Sequence, residues 1–129
     1  MAECPCGSKK PFKACCGPYV EGVRSAPTAE ALMRSRYTAY ALRNMAYLRN
    51  TSEMGLRGGF DEAAAVRWTI SITWLGLTVL EVDGGQGDDE TGEVTYIARY
   101  LMGKEEKHIA ERAVFHRLGT KWLYVGPRR

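Results

Sequence analysis

The sequence has no apolar run long enough to cross a membrane and no apolar segment near its N-terminus. A membrane helix needs about 18–20 consecutive apolar residues, and charged residues interrupt this 129-residue chain well before that length. A secretory signal peptide also requires an apolar core, whereas the first residues here are polar and rich in cysteine. We therefore expect a cytoplasmic protein without a membrane span, in a compartment that keeps thiols reduced.

Cysteine is absent after the first sixteen residues, and all four cysteines lie in the segment CPCGSKKPFKACC, as Cys4, Cys6, Cys15 and Cys16. Zinc takes four soft ligands in a tetrahedron at about 2.3 Å from each sulfur, and a closed shell of thiolates leaves no position for a substrate. So short a segment buries little apolar surface, so metal binding would supply most of its folding free energy. The pattern predicts one structural Zn²⁺ held by these four residues.

Other interpretations of the cysteines are a disulfide knuckle, a redox site or buried free thiols. A disulfide between the adjacent Cys15 and Cys16 would strain the peptide, and a reducing compartment disfavours the rest. Iron is the main competing metal for a set of thiolates.

Basic residues are absent from positions 81–93, where six acidic residues occur, whereas residues 1–50 carry eight Lys or Arg against three Glu. Lys9, Lys10 and Lys13 stand between the cysteines. Four thiolates around one divalent ion leave a charge of about −2, which these lysines are placed to offset. The asymmetry indicates an anionic partner for the N-terminal half, although a charge run is also typical of a solvated face.

Sustained periodicity is absent from residues 20–27, which we interpret as a connector crossed by few contacts. After it, Thr28 is a candidate N-cap for an amphipathic helix that is broken near Asn44 and continues to Leu48. An alanine-rich stretch at 60–66 predicts a second, short helix. The content of β-branched and aromatic residues then rises, predicting strands at 69–82, 92–102, 107–118 and 121–125. Helices followed by an antiparallel sheet define an α+β fold.

The cysteine segment, with Cys-Pro-Cys-Gly-Ser followed by Lys, an aromatic residue, Lys and Cys-Cys-Gly, resembles the SEC-C motif, the zinc-binding tail module of the SecA translocation ATPase. The resemblance implies a zinc knuckle with Cys4, Cys6, Cys15 and Cys16 as ligands. It also implies contact with an acidic protein surface, such as a SecB-like chaperone or the ribosome. The motif usually has Gly after the Ser, where this chain has Lys9. A positive φ there would carry a modest strain.

The main part of the chain resembles the bacterial YchJ family. The residues that carry the resemblance are LMRSRYTAY at 32–40, WLGLTV at 74–79, Ala98-Arg99-Tyr100, Glu111-Arg112 and Phe115. Members of that family join a SEC-C knuckle to a nuclear-transport-factor-two-like domain, a cone of helices packed on a curved antiparallel sheet. The resemblance thus implies a zinc knuckle over residues 1–22 and a nuclear-transport-factor-two-like domain over residues 23–129.

A cone of this type often encloses a pocket, and its candidate lining residues here are Tyr37, Tyr40, Trp74, Tyr96, Glu111 and Trp122. Glu111 and Arg112 are expected on opposite faces of one strand, because side chains alternate along a strand. Among apolar neighbours Glu111 is a candidate base, or a structural ion-pair partner of Arg99 or Arg36. The aromatic residues are equally typical of an ordinary core.

We therefore expect a zinc-binding protein whose basic knuckle, with Lys9, Lys10 and Lys13, docks on an acidic protein or ribosomal surface. An alternative is a ligand-binding protein or enzyme with its site in the cone and a purely structural zinc. A third hypothesis is RNA binding through the knuckle and Arg34, Arg36 and Arg43.

Overall fold

The computed structural model describes residues 3–128, in which a short cysteine-rich segment and five helices precede a four-stranded sheet. A 3₁₀ turn at Phe12–Ala14 leads into the helices, which are α1 (Gly17–Val20), α2 (Ala29–Leu42), α3 (Met45–Asn50), α4 (Glu53–Leu56) and α5 (Glu62–Ile70). The strands are β1 (Ile72–Gly84), β2 (Thr91–Met102), β3 (Glu105–Leu118) and β4 (Lys121–Pro127). This arrangement confirms the predicted α+β order.

The sheet is an antiparallel meander in the order β1-β2-β3-β4. The pairing of β1 with β2 shifts register between Trp74 and Gly76 and again between Val79 and Glu81. Such irregularities bend a strand and increase its twist. One face of the sheet is thereby curved toward the helices that pack on it.

Helix α2 begins at Thr28, the N-cap that the sequence predicted. The Thr28 hydroxyl accepts a hydrogen bond from the Ala31 amide at 3.0 Å. Arg43 adopts a left-handed conformation with φ 60 at the C-cap, and Asn44 then caps α3 by accepting from the Tyr47 amide at 3.1 Å. The predicted break near Asn44 is therefore confirmed.

Helix α5 continues further than predicted. Thr69, which we expected to begin the first strand, lies in α5 and is buried. Its hydroxyl donates to the Tyr40 carbonyl at 3.1 Å. Helical periodicity therefore brings Thr69 to the face that contacts α2, and β1 starts only at Ile72.

The cysteine segment packs on the rest of the molecule. Cys4, Cys6 and Cys16 are buried in the same apolar cluster as Leu32 and Leu77. At Gly7, an added Cβ would lie only 3.0 Å from the Leu77 carbonyl oxygen, so only glycine permits this approach to β1. The cysteine segment therefore packs on the main part of the chain, where we expected few contacts between the two.

The connector is itself anchored at its first residue. Val20 is buried against Ala39, Met45 and Leu48, and its carbonyl accepts a hydrogen bond from the Asn44 side chain at 3.1 Å. The division at residue 22 stays a prediction. No helix among residues 3–128 is both long and apolar enough to span a membrane.

Candidate metal centre and aromatic cavity

The two pairs of cysteines meet because the chain between them folds back on itself. The Cys4 amide donates to the Lys10 carbonyl at 2.8 Å, and the turn between them contains Gly7 at φ 82 and Lys9 at φ 67. The positive φ considered for Lys9 is thus present. Cys15 and Cys16 follow the 3₁₀ turn and lead into α1.

The four sulfur atoms all lie within 4.8 Å of one another. Cys15 Sγ lies 3.6 Å from Cys6 Sγ and 3.9 Å from Cys16 Sγ. A tetrahedron with metal–sulfur bonds of about 2.3 Å has edges of about 3.8 Å, whereas a disulfide joins its sulfurs at about 2.05 Å. All four cysteines are free thiols in this structure. The donor set therefore has the spacing of a tetrahedral four-sulfur site and can hold a metal ion.

The thiols shift one another's pKa values in opposite directions, so that Cys6 ionises at the expense of Cys16. A hydrogen bond from Cys16 lowers the pKa of Cys6 well below its usual range. That interaction with Cys6, together with burial, raises the pKa of Cys16, and burial raises the pKa of Cys15. Four thiolates at this spacing need a cation between them, so the chemistry of the donor set also fits a metal.

Polar groups around the sulfurs come from the knuckle and from α2. Ser8 Oγ lies 3.1 Å from Cys15 Sγ, and Thr38 Oγ1 lies 3.6 Å from Cys4 Sγ. Arg34 donates to the Cys6 carbonyl at 3.0 Å. Outer groups of this kind orient metal ligands and stabilise their charge. Neither Ser8 nor Thr38 was predicted at the site, although the four-residue spacing of Arg34 and Thr38 places both on one face of a helix.

The three knuckle lysines are exposed, and none of them forms an ion pair with a residue in the described range. The three arginines of the RNA-binding hypothesis differ in exposure and in ion pairing. Arg34 pairs with Glu30 at 3.0 Å, Arg43 is exposed and Arg36 is only 6% exposed. Arg36 therefore cannot belong to a surface for RNA.

A cavity of about 190 Å³ lies between α2, α5 and the concave face of the sheet. Five of the six residues predicted for the pocket line it, namely Tyr37, Tyr40, Trp74, Tyr96 and Glu111. Its other lining residues are Met33, Arg36, Trp68, Ala98, Ile109 and Tyr124. Arg36 and Met33 share the helical face of Tyr37 and Tyr40, so the spacing along α2 was a usable signal. The contribution of Trp68 depended on the unpredicted length of α5.

Trp122, the sixth residue predicted for the pocket, does not line this cavity. It is 3% exposed, and its indole Nε1 donates to the Pro27 carbonyl at 3.3 Å. Trp122 therefore holds the segment that leads into α2 against β4.

Glu111 does not form the expected ion pair with Arg99 or Arg36 among the described residues. Its carboxylate accepts hydrogen bonds from the hydroxyls of Tyr96, at 2.5 Å, and Tyr124, at 2.7 Å. Arg112 points to the other face of the sheet, as expected, where it pairs with Glu93 and with Asp83 at 3.2 Å.

The chain thus combines a four-cysteine knuckle with a helix-covered sheet that encloses an aromatic cavity. The SEC-C motif matches residues 2–18, and a model described as the middle NTF2-like domain of YchJ matches residues 28–127. These matches define a SEC-C protein with an NTF2-like domain. The chain belongs to the YchJ family, whose curated relatives also carry the family name UPF0225.

Relatives of known sequence cover most of the chain. A UPF0225 protein from Geobacter sulfurreducens is 42% identical over 124 residues, which are 95% of this chain and 76% of the relative. The UPF0225 protein YchJ of Shigella dysenteriae is 36% identical over 126 residues, covering 98% of this chain and 82% of the relative.

Two solved structures share the fold. The solution structure of a SEC-C motif containing protein from Rhodopseudomonas palustris is 35% identical, with a TM-score of 0.89 over 98% of each chain. A crystal structure of a SEC-C motif containing protein from Psychrobacter arcticus has a TM-score of 0.84 over 98% of this chain and 82% of that chain. At 23% identity the second structure supports the fold alone.

Proposed function

We propose that this protein binds one structural Zn²⁺ through Cys4, Cys6, Cys15 and Cys16, and that the basic knuckle so formed docks on an acidic protein surface. The observation that carries the metal assignment is the set of four sulfur atoms within 4.8 Å of one another. Because sulfur would fill all four positions of a tetrahedral shell, the ion has a structural role.

Zinc is favoured over iron because a closed tetrahedral set of thiolates is typical of structural zinc sites, although thiolates also bind iron. Elemental analysis of protein purified without chelator or acid tests this assignment. We expect about one equivalent of zinc per chain. Stoichiometric iron would overturn the identity of the metal, and four freely titratable thiols with little metal would overturn the site itself.

The docking role is supported by the charges around the knuckle. Four thiolates and one Zn²⁺ carry about −2 in total, whereas Lys9, Lys10 and Lys13 carry three positive charges and are exposed. Positive potential therefore remains on the outer surface of the knuckle. Exposed charges of this kind steer association with an oppositely charged partner. A SecB-like chaperone and the ribosome are the candidate partners that the motif's resemblance to the SecA tail suggests.

The docking proposal is tested by replacing Lys9, Lys10 and Lys13 together with Gln. We expect slower association with a purified acidic chaperone of the SecB type or with ribosomes, a weaker dependence on salt, and unchanged zinc content. The matched control replaces Lys104, Lys107 and Lys121 with Gln, which changes the net charge equally. These three lysines lie in or beside the two C-terminal hairpin turns. Equal association rates for both triple variants at low salt would show that the basic knuckle is not the docking surface.

A further inference from the structure

The aromatic cavity has the size of a site for one small ring. Its volume of about 190 Å³ exceeds the roughly 150 Å³ that accommodates benzene in an engineered protein cavity. Drug-sized ligands usually occupy pockets of about 300–1,000 Å³. Trp74 lies at the centre of the aromatic wall, with ring centroids 5.3 Å from Tyr37, 5.4 Å from Trp68 and 6.1 Å from Tyr40. These rings pack on one another at interplanar angles of 69°, 76° and 51° and form an aromatic wall that favours contact with a further ring.

Arg36 places a buried positive charge on the wall of this cavity. Its Nη1 donates to the Leu48 carbonyl and to Thr51 Oγ1, both at 2.8 Å, and its Cζ lies 4.7 Å from the centroid of the Tyr124 ring. Its Nε and Nη2 donate to no residue within 3–128, and no carboxylate in that range is within ion-pair distance. A guanidinium stays charged at physiological pH, and buried charges are normally paired with an opposite charge. Among the described residues, the Arg36 guanidinium therefore has no carboxylate partner and faces the cavity with free N–H donors.

Trp74 provides a second donor without a partner. Its indole Nε1 is sealed from solvent and has no hydrogen-bond acceptor among the described residues. Leaving a buried donor unsatisfied costs about 1–3 kcal/mol. Because no water-sized group reaches this nitrogen, a molecule in the cavity cannot accept from it, and Trp74 contributes only the apolar surface of its ring to the site.

The acidic group of the cavity is already engaged. Glu111 accepts from the hydroxyls of Tyr96 and Tyr124 and is not within ion-pair distance of Arg36. Its negative charge would disfavour a ligand with a second acid group nearby. The charges thus favour a ligand with a single carboxylate.

We propose that the cavity binds a small planar monocarboxylic acid of about one ring, with its carboxylate at Arg36 and its ring against Trp68, Trp74 and Tyr40. Arg is suited to this contact because its fork of N–H donors matches the geometry of a carboxylate. This proposal is independent of the metal and of the docking role.

Benzoate is the probe that tests the proposal, with benzamide as its uncharged analogue and acetate as its analogue without a ring. Titration of the purified protein, followed by NMR shifts and by tryptophan fluorescence, should show saturable binding of benzoate. Binding of benzamide and acetate should be about tenfold weaker or more, because a charge-assisted hydrogen bond and ring contacts each contribute at least that factor. Equal binding of benzamide would overturn the role of Arg36, and no cavity shifts with benzoate would overturn the site.

Two variants link binding to the cavity without altering Arg36, which also has structural hydrogen bonds. Ala98→Leu fills the cavity from β2 and should abolish benzoate binding, whereas Ala110→Leu adds the same group at an exposed position and should not affect binding. If Ala98→Leu folds and binds benzoate as well as Ala110→Leu does, the proposal is wrong.

Discussion

At the scale of single residues, Lys9 is one of two non-glycine residues with a left-handed backbone among the described residues, and the other, Arg43, is a helix C-cap. Lys9 adopts φ 67 in the turn between the first two cysteines, a region that costs a residue with a Cβ about 1–2 kcal/mol. The SEC-C motif usually has Gly there, which adopts this conformation readily. The turn is therefore strained at Lys9, and the same residue adds an exposed positive charge.

Lys9→Gly should stabilise the protein by about 1 kcal/mol, because it removes this strain. For a chain of this size the corresponding rise in melting temperature is about 4 °C, measurable by thermal unfolding of the zinc-loaded protein. Lys10→Gly removes the same charge at a position without positive φ and should not stabilise. A lower melting temperature for Lys9→Gly than for Lys10→Gly would contradict the assignment of strain.

The hydroxyls of Tyr96 and Tyr124 should make stability depend on alkaline pH. Burial, followed by the hydrogen bond to Glu111, raises the pKa of both tyrosines. The folded state therefore holds these protons more tightly than the unfolded chain, whose tyrosines titrate near pH 10. Their contribution to stability is full below about pH 10 and is lost as the pH rises toward the folded-state pKa values.

Glu111→Gln removes the negative charge beside both hydroxyls and should lower the pKa of Tyr96 and Tyr124, although burial keeps them above the ordinary value. Tyrosinate absorbance during alkaline titration measures the change. Glu105→Gln, at an exposed site on the same strand, is the control. Identical titration curves for the two variants would show that Glu111 does not raise the pKa of Tyr96 and Tyr124.

At the scale of elements, α2 serves two sites with two faces. Arg34 and Thr38 contact the cysteine knuckle, whereas Arg36, Tyr37 and Tyr40 line the cavity. The helix can do both because successive side chains are rotated by about 100° along 3.6 residues per turn. A change on one face therefore need not disturb the other.

Thr38→Val should weaken zinc binding by about tenfold, as expected for loss of an outer-shell partner, while the shape of the side chain is kept. Competition with a chromogenic chelator measures the affinity. Thr69→Val removes a hydroxyl that is also buried but bonds to the Tyr40 carbonyl, so it should leave zinc affinity unchanged. Equal affinities for the two variants would show that Thr38 has no role at the metal.

At the scale of the whole molecule, the knuckle and the sheet share one apolar cluster. Cys4, Cys6 and Cys16 are buried in it together with Leu77 of β1 and Trp122 of β4. These candidate metal ligands are therefore not confined to an appendage. A metal bound there would stabilise the folded state of the main domain as well as the knuckle.

Removal of the metal by a chelator should lower the melting temperature of the whole protein in one cooperative transition, because binding only to the folded state stabilises that state. Calorimetry with and without chelator, and Cys15→Ser as a genetic equivalent, test this. Two separate transitions, with the later one unchanged by chelation, would mean that the knuckle unfolds independently of the sheet.

Local signals in the sequence were sufficient to predict the order of the main helices and strands and a cluster of the four cysteines, but not α1, α4 or the end of α5. Thr28 and Asn44 cap helices through their own side chains, and alternating residues predicted the four strands. The cysteine spacing, together with the absence of other cysteines, predicted the ligand set. Each of these features depends on residues that are close in the chain, so its physical cause lies in the local sequence.

Tertiary packing alone decided the surroundings of those residues. It gave Glu111 two tyrosine partners instead of an arginine and brought Trp122 to Pro27. It also joined the knuckle to the main core. These contacts connect residues far apart in the chain, and their geometry follows from the bend of the sheet and the rotation of α2, which no local pattern specifies.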